Sequence, residues 1–167
     1  MEKNNWRNST VKIFSLIKPK EEYLGVNVGL LDLKKILERN GKKFHFAWES
    51  ENNFIISLKF SFGTNLLFDT NYSGTKSDII ATGILSKLTE EKTKITLKTK
   101  SKNGLIILFL LPTVLIIFFN FIFELGLPIP LYFIFPLLFI LVLNMIKSEE
   151  KRLIKNFKSF LDNELKY

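Results

Sequence analysis

Five lysines between positions 92 and 102 have the spacing that most suggests a binding surface in this sequence: Lys92, Lys94, Lys98, Lys100 and Lys102. Side chains of one parity point to the same face of a β-strand, so on a strand these ammonium groups would form one positively charged row. Such a row would attract anionic lipid headgroups, at about 1 kcal/mol for each lysine near a membrane surface. Two other roles fit the same row, namely an orientation signal for membrane insertion and protection of a sheet edge against aggregation.

The residue types that carry catalysis are sparse. The chain has one histidine, His45, and no cysteine, which excludes thiolate chemistry, disulfides and Cys-based metal sites. A histidine without a second His or Cys makes a poor metal site, and the glycines of segment 25–29 lack the spacing of a dinucleotide-binding loop. The carboxylate pairs fall in expected loops or helix starts: Glu21-Glu22, Glu90-Glu91 and Glu149-Glu150. We therefore expect no enzyme activity, no catalytic residue, no metal and no cofactor.

Residues 105–146 dominate the hydropathy of the chain, because these 42 positions include one charged side chain, Glu124. As a single helix the stretch would extend ~60 Å, about twice the thickness of a bilayer core. Residues 124–130 contain the charge, the single glycine of the stretch and two of its prolines. The pattern predicts a transmembrane hairpin with helices at 105–123 and 129–146.

The charges that flank this stretch predict its orientation. Lysines precede it, and Lys147, Lys151, Arg152, Lys155 and Lys158 follow it, whereas residues 124–130 contain no Lys or Arg. Since positive charge is retained on the cytoplasmic side, we expect a multi-pass protein of the bacterial inner membrane, with both termini cytoplasmic and the turn facing outward. The first 25 residues show no apolar run typical of a secretory signal.

Residues 1–104 are expected to form a cytoplasmic α+β domain. Residues 30–40 have an amphipathic helical period, with Gly41 placed as the C-cap glycine. From Lys42 onward the period changes to two, which predicts an antiparallel meander of five strands near 44–48, 54–62, 66–73, 78–88 and 93–102, covered by one or two helices. The opening segment 10–18 has weaker strand character and ends at Pro19.

The C-terminal segment 147–167 is predicted to be a separate amphipathic helix, with Ser148 as a possible cap. Its apolar stripe consists of Leu153, Phe157, Phe160, Leu161 and Leu165. This stripe fits packing on the sheet, which would make the transmembrane hairpin an insertion into one α+β domain. The alternative is a helix that lies flat on the membrane surface.

Two segments precede the apolar stretch directly: Ile80-Ala81-Thr82-Gly83-Ile84-Leu85, then Thr93-Lys94-Ile95-Thr96-Leu97. This layout resembles that of a group of small, uncharacterised bacterial membrane proteins. The resemblance implies a strand pair just ahead of a two-helix hairpin and a short amphipathic tail. It implies no activity.

Three functions remain open from the sequence. The first is a membrane-anchored module that contacts a protein partner, a second copy of itself or anionic lipid headgroups. The second is a domain that binds a small apolar ligand among its aromatic side chains: Phe44, Phe46, Trp48, Phe54, Phe60 and Phe62. The third is a subunit of an oligomeric channel or transporter, although the predicted spans lack ionisable residues that would mark a transport path. Nucleic-acid binding is not expected, because the basic strand lacks interleaved aromatic residues.

Overall fold

The structure is a computed structural model that describes residues 18–39, 44–59, 77, 79–100 and 103–165. Its strands are β1 (Glu21–Val26), β2 (His45–Trp48), β3 (Asn53–Ser57), β4 (Ile80–Thr89) and β5 (Lys92–Thr99). Its helices are α1 (Leu30–Glu38), α2 (Asn103–Phe123) and α3 (Leu131–Glu164). The described residues form two compact units. We call residues 19–100 with 148–165 the α+β unit, and residues 103–147 the apolar unit.

The five strands form one antiparallel sheet in the order β1-β5-β4-β3-β2. The predicted α+β class with a five-stranded antiparallel sheet is therefore confirmed. One strand differs, because residues 21–26 form β1 beside β5, whereas the five strands predicted from the sequence did not include this segment. The predicted strand at 66–73 and nearly all of segment 10–18 lie outside the described residues.

The two faces of the central strands differ as a period of two requires. Ala81, Leu85, Ile95 and Leu97 are buried on one face, whereas Ile84 on the other is exposed. Such alternation is typical of an antiparallel sheet with one covered face.

Helix α1 is the amphipathic helix that the sequence predicted, and it ends at Glu38. Leu33 and Leu37 are buried one turn apart, which places its apolar stripe in the core. The helix begins close to the β4–β5 turn, where the hydroxyl of Thr93 donates a hydrogen bond of 2.8 Å to the carbonyl of Val28. The expected C-cap Gly41 lies outside the described residues.

An aromatic cluster forms the core between the sheet and the C-terminal part of α3. The ring of Phe157 lies 5.6 Å from the ring of Phe44 and 5.7 Å from that of Phe54, measured between centroids. All three side chains are almost completely buried. Residues 148–165 thus pack on the sheet through the stripe that the sequence identified, and Leu153 and Leu161 in it are also buried.

The structure corrects the boundaries predicted for the last two elements. The second predicted span, 129–146, and the separate tail helix, 147–167, form one helix of 34 residues that runs from Leu131 to Glu164. Ser148 therefore lies inside a helix and caps nothing. The reason is local, because Lys, Ser and Glu at 147–150 tolerate a helix interior and neither Gly nor Pro interrupts them. A change of hydropathy along the chain does not end a helix.

Of the two predicted transmembrane helices, length and composition support one. Within the described residues one helix, α3, is long and apolar enough to cross a membrane, with a mean hydropathy of 2.0 over its 18-residue window. The apolar segment Ile107–Phe123 of α2 is shorter than 18 residues. Within the apolar unit the rings of Phe109 and Phe139 lie 6.1 Å apart, and the side-chain oxygen of Asn120 accepts a hydrogen bond of 3.1 Å from the amide of Leu127.

Candidate functional site

The lysines that suggested a binding surface lie on an interior strand. β5 pairs with β1 on one side and with β4 on the other, so its lysines do not protect a sheet edge. Lys92, Lys94 and Lys98 alternate with the buried Thr93, Ile95, Leu97 and Thr99, as the predicted parity requires. Lys100 is half-buried just after the strand, and Lys102 lies outside the described residues.

Strand β1 supplies acidic and aromatic partners for two of these lysines. The ammonium of Lys98 lies 3.1 Å from the carboxylate of Glu21, and that of Lys94 lies 4.4 Å from the ring centre of Tyr23. Tyr23 also donates a hydrogen bond of 3.0 Å to Glu21. The hydrogen bonds from Lys98 and from Tyr23 hold the pKa of Glu21 below its ordinary value, while the bond to Glu21 raises the pKa of Tyr23. The basic row is therefore partly neutralised on its own face of the sheet.

A second basic region lies between the start of β1 and the C-terminal part of α3. We call it the β1–α3 groove, and its volume is about 540 Å³. The groove is lined by Lys20, Glu22, Lys151, Ile154, Lys155, Lys158, Ser159, Asp162 and Asn163. Four ammonium groups face two carboxylates there, which leaves the groove positively charged.

Glu22 organises this groove. Its carboxylate forms ion pairs with Lys20 and with Lys158, the latter with an N–O distance of 2.5 Å. Partial burial raises the pKa of Glu22, but the hydrogen bonds and charges of Lys158 and Lys20 lower it by more, so the net pKa lies below the ordinary value. One carboxylate thus holds two ammonium groups in place in the groove.

Lys151 and Lys155 lie one helical turn apart and complete the basic side of the groove. Both are exposed, and within the described part of the chain neither forms an ion pair. A neighbouring groove of about 410 Å³ is lined mostly by apolar side chains of β1 and α3, with Lys158 and Asp162 shared between the two.

The structure brings no metal-binding cluster together among the residues it describes. His45 pairs with Ser57 across the β2–β3 ladder and is half-buried. Groups of three or more His, Asp or Glu side chains that could hold a metal ion do not occur within the described residues.

The β1–α3 groove was missed by the sequence reasoning, although part of its signal is visible there. Lys151, Lys155 and Lys158 recur at the spacing of one helix face. Lys20 and Glu22 are more than 120 residues away in the chain, and no local pattern indicates that β1 lies beside α3.

Comparison of the chain with protein-family models, with curated proteins and with solved structures finds no match.

Proposed function

We propose that this chain is a membrane-anchored module whose α+β unit binds anionic lipid headgroups at the cytoplasmic face of the bacterial inner membrane. The observation that carries the proposal is helix α3, which begins as an apolar segment and continues without a break into a basic one. The basic residues of this helix are Lys147, Lys151, Arg152, Lys155 and Lys158. A cluster of this kind just after an apolar span is typical of attraction to anionic lipid.

The exposed apolar surface of α3 supports the anchoring part of the proposal. Only 17 % of its most apolar window is buried within the protein. Phe133, Leu137 and Leu141 are each more than half exposed. An apolar surface of this extent needs a cover, and the hydrocarbon core of a bilayer provides one for a helix of this length.

The proposal includes a hairpin in which α2 and α3 both cross the membrane and the 124–130 turn faces outward. The contact between Phe109 and Phe139 supports close packing of the two helices. The lack of Lys and Arg in the turn, against the lysines on both sides of the apolar stretch, supports its orientation.

The two other functions lack a specific supporting observation. Four of the rings that suggested a ligand cavity (Phe44, Phe46, Trp48 and Phe54) are within the aromatic core, with stacked or edge contacts among them and to α3. The polar groups Thr113 and Asn120 form hydrogen bonds within the apolar unit, as expected of helices without a conducting path.

The topology is testable because the chain has no cysteine, so single cysteines report on their own positions. Leu125→Cys places a thiol in the turn and Ser86→Cys places one on the exposed face of β4, and both sites are solvent-exposed. We expect a membrane-impermeant maleimide to label Leu125→Cys in intact spheroplasts, and Ser86→Cys only after lysis.

Lipid binding is measured on the full-length protein in a neutral detergent, by native mass spectrometry with added phosphatidylglycerol or phosphatidylcholine. Labelling of Leu125→Cys only after lysis would refute the hairpin orientation. Equal binding of phosphatidylglycerol and phosphatidylcholine to the full-length protein would refute the headgroup preference.

A further inference from the structure

We propose that the β1–α3 groove is a binding site for a phosphate group, with Lys151 and Lys155 as its main ligands. The inference deepens the proposed function, on which it rests for the choice of a lipid headgroup as the expected source of the phosphate. The proposed site does not include β5, because Lys94 there already contacts the ring of Tyr23 and Lys98 pairs with Glu21.

The arrangement of the lysines favours an anion with several oxygen atoms. Each ammonium group has three N–H donors, and Glu22 occupies part of the capacity of Lys20 and Lys158. Lys151 and Lys155 have no such partner among the described residues, so their charge is available to a ligand. Hydrogen bonds from ammonium groups to phosphate are of the strong, charge-assisted kind.

Glu22 gives the groove a fixed geometry. A carboxylate that bridges β1 and α3 restricts the rotamers of Lys20 and Lys158 before any ligand arrives, and such preorganisation reduces the entropy cost of binding. Ser159, one helical turn from Lys155, adds a neutral donor on the same helix face. A volume of about 540 Å³ accommodates a glycerophosphate headgroup as well as a bare phosphate.

Asp162 limits where the anion binds. Its carboxylate lines both the β1–α3 groove and the apolar neighbouring groove, and it repels a phosphate from their shared boundary. Lys155 and Lys151 lie about two and three helical turns from Asp162, toward the N-terminus of the same helix. The anion is therefore expected at the end of the groove formed by these two lysines.

The test compares two full-length double variants with the same change of charge. Lys151→Gln with Lys155→Gln removes the free lysines of the groove, whereas Lys35→Gln with Lys87→Gln removes two lysines elsewhere, on α1 and β4. Thermal unfolding and circular dichroism verify that both variants fold. Each protein, in a neutral detergent, is titrated with phosphatidylglycerol and with phosphatidylcholine by native mass spectrometry, and with glycerol 3-phosphate as the soluble headgroup probe.

We expect the groove variant to bind phosphatidylglycerol about 30-fold more weakly. Each of the two lysines contributes ~1 kcal/mol, and ~1.4 kcal/mol corresponds to a tenfold change in affinity. The matched variant should change by less than about threefold. That result would support the groove with a lipid as the source of the phosphate. Loss of glycerol 3-phosphate binding alone would support the groove with a soluble phosphate as ligand, and would refute the lipid part of the proposed function.

Two other outcomes overturn the inference. If both variants weaken phosphatidylglycerol binding equally, diffuse attraction explains the affinity, so the groove is refuted while the proposed function stands. If the groove variant binds every phosphate probe as tightly as the unmodified chain, the groove is not a phosphate site.

Discussion

Replacing Gly83 with alanine should destabilise the α+β unit far more than a change of one methyl group suggests. Gly83 on β4 pairs with Phe54 on β3, and a Cβ atom at Gly83 would lie 2.1 Å from the tip of the Phe54 ring. The ring has little room to move away, because it is fully buried and contacts Phe46, Trp48 and Phe157 at centroid distances of 5.3, 5.9 and 5.7 Å. Overpacking of a filled core costs about 1–3 kcal/mol.

We therefore expect Gly83→Ala to lower the free energy of unfolding by about 2 kcal/mol, which corresponds to a fall in Tm of roughly 8–16 °C for a unit of this size. The assay is thermal unfolding in detergent, followed by tryptophan fluorescence, because Trp48 packs against Phe54. Gly25→Ala is the matched control, because nothing lies within 4 Å of a Cβ there, and it should be neutral or stabilising by up to ~1 kcal/mol.

A double-mutant cycle separates this clash from other effects. Phe54→Leu shortens the side chain above Gly83, so its cost and that of Gly83→Ala should add up to more than the cost of the double variant. Equal stability of Gly83→Ala and Gly25→Ala, or strict additivity in the cycle, would refute the reasoning.

Two further predictions concern the contacts between α3 and the sheet. Phe157→Ala should lower the free energy of unfolding by about 3–5 kcal/mol, since it empties a buried site between Phe44 and Phe54. Glu164→Ala is the control, because Glu164 is exposed on the same helix. A similar Tm for both variants would contradict the packing. For Glu22, burial raises the pKa but the pairs with Lys158 and Lys20 lower it further, so the folded-state pKa lies below the ordinary 4.5. Its stabilisation is present above that value and is lost as pH falls through the lower folded pKa. The unmodified chain should therefore be more stable than Glu22→Gln at neutral pH, and this difference should shrink between about pH 5 and pH 2, where paired carboxylates become protonated. A difference that does not change with pH would show that the ion pairs contribute nothing.

Much of the fold could be predicted from local patterns in the sequence. The period of two in β4 and β5 and the helical stripe of α1 depend on near neighbours in the chain, and their buried residues are those that the alternation indicates. The same holds for Leu153, Phe157 and Leu161, whose spacing of four residues places them on one helix face.

The elements that could not be predicted depend on distant partners. The segment Glu21-Glu22-Tyr23 shows weak strand preference, and it forms β1 because it pairs with residues 96–98 of β5. The continuity of α3 across Ile146–Lys147 was missed because the change from apolar to charged residues suggested a boundary. The β1–α3 groove depends on both the position of β1 in the sheet and the continuity of α3, so local spacing in the sequence could not have located it.

The place of Phe157 in the aromatic core has a consequence for how the chain is made. Phe157 follows Phe54 by ~100 residues, so at ~5–20 residues per second the ribosome needs about 5–20 s between the two. During that time the rings of Phe44 and Phe54 lack their cover, while the apolar residues 105–146 are still being synthesised. A nascent chain released before Ser148 would keep this aromatic face open and become a substrate for chaperones and proteases.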